Sequence, residues 1–185
     1  MTNLRFLTLG LLFACKDDVK PADEIPDGVP TGPIVVTLGE STASTVALPT
    51  SVEEVWIRLE DVQVHHETKG WVGIIESRKD IDLLALQGAD AQSIGRDDVY
   101  EGGYDSLRLV LADAWLVVDG VEADLLITDV LSIPVTELTY DATYFVDDST
   151  TTTLAVQWGI GDQLVETGSG WELGTDGNFQ VDIHD

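Results

Sequence analysis

A single cysteine, Cys15, stands among the 185 residues. One thiol cannot close a disulfide within the chain, so the fold must rest on its core alone. Cations are scarce as well: nine Lys and Arg against 34 Asp and Glu leave a formal net charge of −25. Binding to phosphate depends on Lys and Arg that release counterions, so nucleic acid is excluded as a partner, and anionic headgroups are repelled for the same reason. No long apolar run is present. A membrane-spanning helix needs about 20 apolar residues, and the stretch Phe6 to Phe13 reaches less than half of that. Helical periodicity of useful length and internal repeats of fixed period are also missing.

The motifs of several chemistries are missing too. There is no Gly-x-Ser-x-Gly elbow for a nucleophilic serine, and no Asp-x-Asp-x-Asp-Gly loop to wrap calcium. Gly159-Ile160-Gly161 and Gly168-Ser169-Gly170 lack the later glycine and the strand-to-helix setting of a dinucleotide or phosphate site. With 34 acids almost any carboxylate pair could be proposed for glycoside hydrolysis, which leaves that signal empty. No cofactor is expected.

What is present begins at the N-terminus. One positive charge at Arg5, the apolar run Phe6 to Phe13 and a small residue at Ala14 have the order of a secretory signal. The ending Leu12-Phe13-Ala14-Cys15 resembles the lipobox of bacterial lipoproteins, with Phe13 bulkier than usual at its position. That resemblance implies a signal peptide over residues 1–14 and acylation of Cys15, which would also remove a reactive thiol from an exposed tail. Each buried methylene of an acyl chain contributes about 0.8 kcal/mol, and two or more chains hold a protein stably. Lys16, rather than aspartate, follows the cysteine, which favours the outer membrane over the inner. Residues 15–32 then read as a flexible spacer. Pro21, Pro26 and Pro30 favour extended chain at about 3.1 Å per residue, a reach of about 50 Å.

Residues 33–185 read as one all-β domain. Ile34 to Leu38 is the first strand. Val55, Ile57 and Leu59 alternate with Trp56, Arg58 and Glu60, then the alternation slips at Glu60-Asp61 and resumes at Val62 and Val64. A slip of one residue flips every side chain, so a β-bulge is expected there. Trp71 to Ile75, Ile81 to Leu84, Tyr104 to Leu111 and Trp115 to Val118 read as further strands, with a loop and a short helical turn between Leu84 and Asp98. Asp119-Gly120 predicts a hairpin to Val121–Ile127, because both residues tolerate positive φ. A second hairpin is expected between Tyr140–Val146 and Thr150–Trp158 around Asp147-Asp148-Ser149, and Phe179 to Ile183 closes the domain. Seven to nine strands bury their apolar faces best as a two-sheet antiparallel β-sandwich, transthyretin-like or immunoglobulin-like; a closed barrel is the other arrangement.

The strand phases sort the candidate residues. Trp158 shares a face with Leu154 and Val156 and is expected in the core. Trp56 lies opposite the apolar face, Trp115 is ambiguous, and Trp71 and Trp171, each after a glycine, are expected to plug the ends of the sandwich. Exposed aromatics mark contact sites, so Trp56 and Trp115 are the candidate ligand contacts, with sugar rings as the ligand. Adjacent strand residues point to opposite faces, so His65 and His66 cannot easily share one metal and are expected as exposed strand-end histidines. Asp80-Ile81-Asp82, Asp97-Asp98 and Asp147-Asp148 offer carboxylates to a divalent cation, but acids in turns also bond their own backbone.

Val55-Trp56-Ile57, Val62 to His65, Gly70-Trp71-Val72 and Ile81 to Leu86 occur in an order that resembles one bacterial family. Gly103-Tyr104 before Leu107-Arg108-Leu109, and Val117-Val118-Asp119-Gly120, continue it. The family is domain of unknown function 4382, found in envelope lipoproteins, and the resemblance runs from about Ile34 onward. It implies a transthyretin-like β-sandwich and supplies no catalytic residues. The function expected is therefore a lipid-anchored cell-envelope protein with a noncatalytic structural or adhesive module. The alternatives are a carbohydrate-binding domain and a divalent-cation-binding module. Its partners would be the membrane, through the lipid, and an envelope polysaccharide or protein.

Overall fold

The structure is a computed structural model. It describes residues 20–22, 25–40, 48–74, 78–87, 91–127, 136–161, 163–168, 170–174 and 179–184; Cys15 and the expected signal peptide lie outside the described residues. The strands in chain order are β1 Lys20–Pro21, β2 Thr31–Glu40, β3 Val52–His66, β4 Gly70–Gly73 and β5 Lys79–Asp82. Next come β6 Gln92–Tyr100, β7 Gly102–Val118, β8 Val121–Ile127 and β9 Thr136–Val146. The last four are β10 Thr152–Trp158, β11 Leu164–Thr167, β12 Gly170–Leu173 and β13 Phe179–His184. Among the described residues no helix is long and apolar enough to cross a membrane.

The strands form two open sheets, so the architecture is a β-sandwich and not a barrel. The nine-stranded sheet runs β1-β4-β3-β7-β8-β12-β11, with β5 also on β3 and β9 also on β7. The four-stranded sheet runs β13-β10-β2-β6. Alternation supplies the core between them. Ile34, Val36 and Leu38 of β2 and Leu154, Val156 and Trp158 of β10 meet Val55, Ile57, Leu59, Leu107, Leu109 and Leu116 of the larger sheet, all buried in one cluster. Burying each such side chain contributes about 1.5–3 kcal/mol. The pairing is mixed rather than purely antiparallel: β10 lies parallel to β2, β12 to β8 and β1 to β4. Lys20–Pro21, read from the sequence as spacer, is the strand that pairs with β4.

The bulge expected at Glu60 is present. Register passes from Leu59↔Leu111 to Asp61↔Val110, leaving Glu60 as the extra residue on β3. A compensating shift lies on β7, where Arg58↔Asp113 is followed by Leu59↔Leu111 and Ala112 is the extra residue. Each strand thereby keeps its apolar set inward on both sides of its own irregularity: Val62 and Val64 are as buried as Ile57 and Leu59, and Leu116 as Leu109. The Tyr104–Leu111 and Trp115–Val118 runs, separate in the sequence reading, are one continuous β7.

Turn chemistry is realised in two different ways. Asp119 and Gly120 take φ of +50° and +74° and close the β7–β8 hairpin. The expected β9–β10 hairpin does not form: β9 pairs with β7 in the larger sheet, while β10 pairs with β2 and β13 in the smaller. Asp147 Oδ1 accepts the amides of Ser149 and Thr150 at 2.9 and 3.1 Å and turns the chain from one sheet to the other. Gly32 of β2 lies under this corner, where an added Cβ would fall 1.9 Å from the Asp147 carbonyl oxygen. The segment between Leu84 and Asp98 also differs from expectation. Leu83 to Gln87 forms a turn, and β6 pairs along the edge of β2.

Candidate functional site

The outward face of the larger sheet carries the polar and aromatic residues that alternation expels from the core. Trp56 and Trp115 stand directly opposite each other on β3 and β7. Their rings are half-buried, parallel within 6° and 5.9 Å apart between centroids. The Trp56 Nε1–H donates to Glu54 Oε2 at 2.6 Å, and the Arg58 guanidinium lies 5.1 Å from the Trp115 ring centre. Arg58 in turn donates twice to Asp80, at 2.7 and 3.0 Å, and sits 3.7 Å from Asp113. The hydrogen bond from Arg58 holds the Asp80 carboxyl below the usual carboxylate range. The sequence reading placed Trp56 outward and left Trp115 open. The structure joins them as a cross-strand stack, with ring faces turned to each other and to Arg58.

A second group lies further along the same face, over β4. Arg108 is buried at 5 % exposure, with its guanidinium carbon 4.0 Å from the Trp71 ring centre and its Nε–H donating to Gln63 Oε1 at 2.8 Å. Gln63 Nε2 donates to Asp61 Oδ2 at 2.6 Å, and the Val62 amide donates to Asp61 Oδ1. Burial pushes the Asp61 carboxyl up, against the opposing pull of these hydrogen bonds and of Arg108. His65 Nδ1 lies 2.7 Å from Asp105 Oδ1, and its ring is 4.9 Å from Trp71. Partial burial raises the Asp105 carboxyl, but hydrogen bonds from His65 and Ser106 outweigh it and leave a net lowering. Trp71 thus covers a buried cation rather than plugging an end.

The two adjacent histidines point to opposite faces, as the strand period requires. His66, expected to be exposed, is buried at 6 %. Tyr100 of β6 and Tyr104 of β7 enclose it, at ring distances of 6.0 and 5.0 Å. Its Nδ1 accepts the Thr68 amide at 3.1 Å, so the proton sits on Nε2, which donates to the Glu101 carbonyl at 3.2 Å. Tyr104 donates to the Tyr100 carbonyl at 2.7 Å and stacks on Tyr144 at 5.1 Å. The buried Tyr144 hydroxyl has no hydrogen-bond partner among the described residues.

The acid pairs singled out for a cation serve local structure. Asp80 binds Arg58, Asp82 Oδ1 accepts the Leu84 amide at 3.0 Å, Asp97 accepts the amide of Asp98 and Asp147 holds its turn. Among the described residues no group of three His, Cys, Asp or Glu is placed to hold a metal.

A feature missed in the sequence is the β11–β12 hairpin and the groove beside it. The groove has a volume of about 200 Å³ and is lined by Asp124, Leu126, Thr167, Gly170, Trp171 and Glu172. Gly170-Trp171 was the available signal, but two four-residue strands are too short for periodicity to declare.

Fold and surface together define a two-sheet β-sandwich with an aromatic and acidic outer face. The chain matches the family "Domain of unknown function (DUF4382)" over residues 43–174 and belongs to it. Comparison with curated proteins and with solved structures found no significant match.

Proposed function

We propose that the chain is a lipid-anchored cell-envelope protein whose β-sandwich is a noncatalytic interaction module, presenting the outer face of its larger sheet. The anchor part rests on the order of Arg5, the apolar run, Ala14 and Cys15. The module part rests on one observation above the rest: Trp56, Trp115 and Arg58 form a half-exposed aromatic and charged platform between Glu54, Asp80 and Asp113. Large amphipathic side chains on a rigid sheet suit contact surfaces, where Trp and Arg are enriched. The polar groups around them are engaged with one another, which suits binding rather than proton transfer. Lys16 favours the outer membrane.

A carbohydrate ligand is the second reading, favoured by tryptophans and carboxylates on one side of the sheet. The anchor is tested by fractionating cells that express the natural chain and Cys15→Ser. The natural chain is expected in membranes and the variant in the soluble fraction or retained as unprocessed precursor. Equal distribution of mature protein in both would refute the anchor.

A further inference from the structure

We infer that the outward face of the larger sheet docks an extended, lysine- or arginine-bearing segment of a partner protein, which runs across the strands from the tryptophan pair to the groove at Gly170. The inference names the partner chemistry of the interaction module and rests on that reading. Core packing fixes which side chains are available. Ala123 and Leu125 of β8, Leu164 of β11, and Trp171 and Leu173 of β12 pack inward, so Asp124, Leu126, Val165, Gly170 and Glu172 face outward. Register sets them in two rows. Trp56, Trp115 and Asp124 stand abreast on β3, β7 and β8, and Gly170 continues that row because Trp171 pairs with Leu125. Leu126, Glu172 and Val165 stand abreast on β8, β12 and β11. Gly170 leaves a notch in the first row: a Cβ built there would meet nothing within 4 Å, and the groove of about 200 Å³ opens over it.

The second row matches a long cationic side chain, which lays an apolar stem on a surface and carries its charge at the tip. Leu126 and Val165 are 58 % and 52 % exposed and flank the Glu172 carboxylate, with Asp124 across the notch. Among the described residues neither carboxylate has an ion pair or a hydrogen bond. Glu54 and Asp80, nearer the tryptophans, are engaged by Trp56 and Arg58. Charge selects against other occupants: a second copy carries the same net −25, and acidic glycans are repelled likewise. Spacing sets the segment. From the midpoint of the tryptophan pair to β12 is about two and a half strand spacings, or about 12 Å. Four residues of extended chain span about 13 Å and return to the same side. The segment therefore sets an apolar residue against the half-exposed indoles and its cation in the groove four positions away.

The test applies the full chain, purified in detergent, to a peptide array at about 0.15 M salt, where remote charges are screened. Leucine and lysine are fixed four positions apart and the other positions are varied among uncharged residues. Matched arrays carry glutamine or glutamate in place of the lysine, and uncharged oligosaccharides lie alongside. Retention is expected on lysine peptides, less on glutamine peptides and none on glutamate peptides. Asp124→Asn with Glu172→Gln should weaken lysine-peptide binding at least about fivefold, the scale of two exposed ion pairs, and cancel the preference for lysine over glutamine. Leu126→Ser keeps every charge and should weaken it about fivefold through lost apolar contact. Asp98→Asn with Asp148→Asn removes the same charge on the smaller sheet and at the sheet-crossing corner, and should change it less than about twofold. Near-UV circular dichroism checks that each variant is folded, and if the groove pair is not, the exposed Leu126→Ser carries the test. No retention on any peptide, equal retention on lysine and glutamine peptides, or a loss in the remote pair as large as in the groove pair overturns the inference. Retention on oligosaccharides alone also overturns it, in favour of the sugar reading. Trp115→Ala separates it from the platform itself: peptide binding that ignores the groove variants but is lost in Trp115→Ala refutes the basic partner while the platform stands.

Discussion

Replacing Gly32 by alanine perturbs the corner where the two sheets exchange the chain. An added Cβ would lie 1.9 Å from the Asp147 carbonyl oxygen, 2.6 Å from its carbon and 2.8 Å from Val146 Cγ1. Ordinary non-bonded separations are about 3.5 Å or more, and two of the three atoms belong to backbone. Neither neighbour yields easily, because Val146 is fully buried and β2 is held on both edges, by β6 and β10. Overpacking a core costs about 1–3 kcal/mol, and this contact belongs at the upper end. For a chain of this length each kcal/mol lowers Tm by about 2–4 °C, so a fall of about 6–12 °C is expected in a thermal melt followed by circular dichroism. Gly168→Ala is the control, since a Cβ there meets nothing within 4 Å. A Gly32→Ala variant that melts with the natural protein would refute the crossing at Asp147 and restore the hairpin that local turn chemistry suggests.

Three further outcomes are expected. Tyr144→Phe removes a buried hydroxyl with no partner among the described residues, and since such a group costs about 1–3 kcal/mol to bury, the variant should melt at or above the natural temperature; a marked fall would mean the hydroxyl has a partner. Asp61 has its folded pKa raised, chiefly by burial, so its protonation favours the fold: that contribution is complete below the unfolded pKa and lost as pH rises through the folded one. The stability of the natural protein relative to Asp61→Asn should therefore rise as pH falls from neutral toward 4, and denaturant titrations showing the opposite slope would refute the burial argument. Trp71→Ala uncovers Arg108, which lies 4.0 Å from the ring centre. Loss of a large aromatic costs about 3–5 kcal/mol in a core and less at this half-buried position, and an unchanged urea midpoint would show that the ring does not hold β4 to the sheet.

The sequence was most legible where period and turn chemistry agree. The slip at Glu60-Asp61 identified a bulge because Val62 and Val64 resume the inward set, and Asp119-Gly120 identified a true hairpin because its backbone needs positive φ twice. The corner at Asp147 was misread for a physical reason: an aspartate bonding the next amides reverses the chain but does not say which sheet receives it. β6 was hidden because Gly95, Arg96, Asp97 and Asp98 dilute its pattern on an edge strand with one neighbour. Parallel pairing of β2 with β10 is invisible locally, since it depends on everything between them. At the candidate surface, the outward phase of Trp56 was readable from Val55 and Ile57. The side of Trp115 was not, because the irregularity at Ala112 breaks the phase of β7 between Leu111 and Ala114. His66 was read as exposed because its position near a strand end says nothing of Tyr100 and Tyr104 closing over it. The groove depends on β8 and β12 lying side by side, with Trp171 in register with Leu125 from much earlier in the chain, and no short-range pattern carries such a pairing.

Lipid on Cys15 is proposed to hold this sandwich at a membrane. Intact-mass spectrometry of the mature protein extracted from membranes tests it directly. The account predicts a chain that starts at Cys15 and carries the added mass of acyl groups on that residue. A mature chain that starts elsewhere, or a Cys15 with a free thiol, would contradict it.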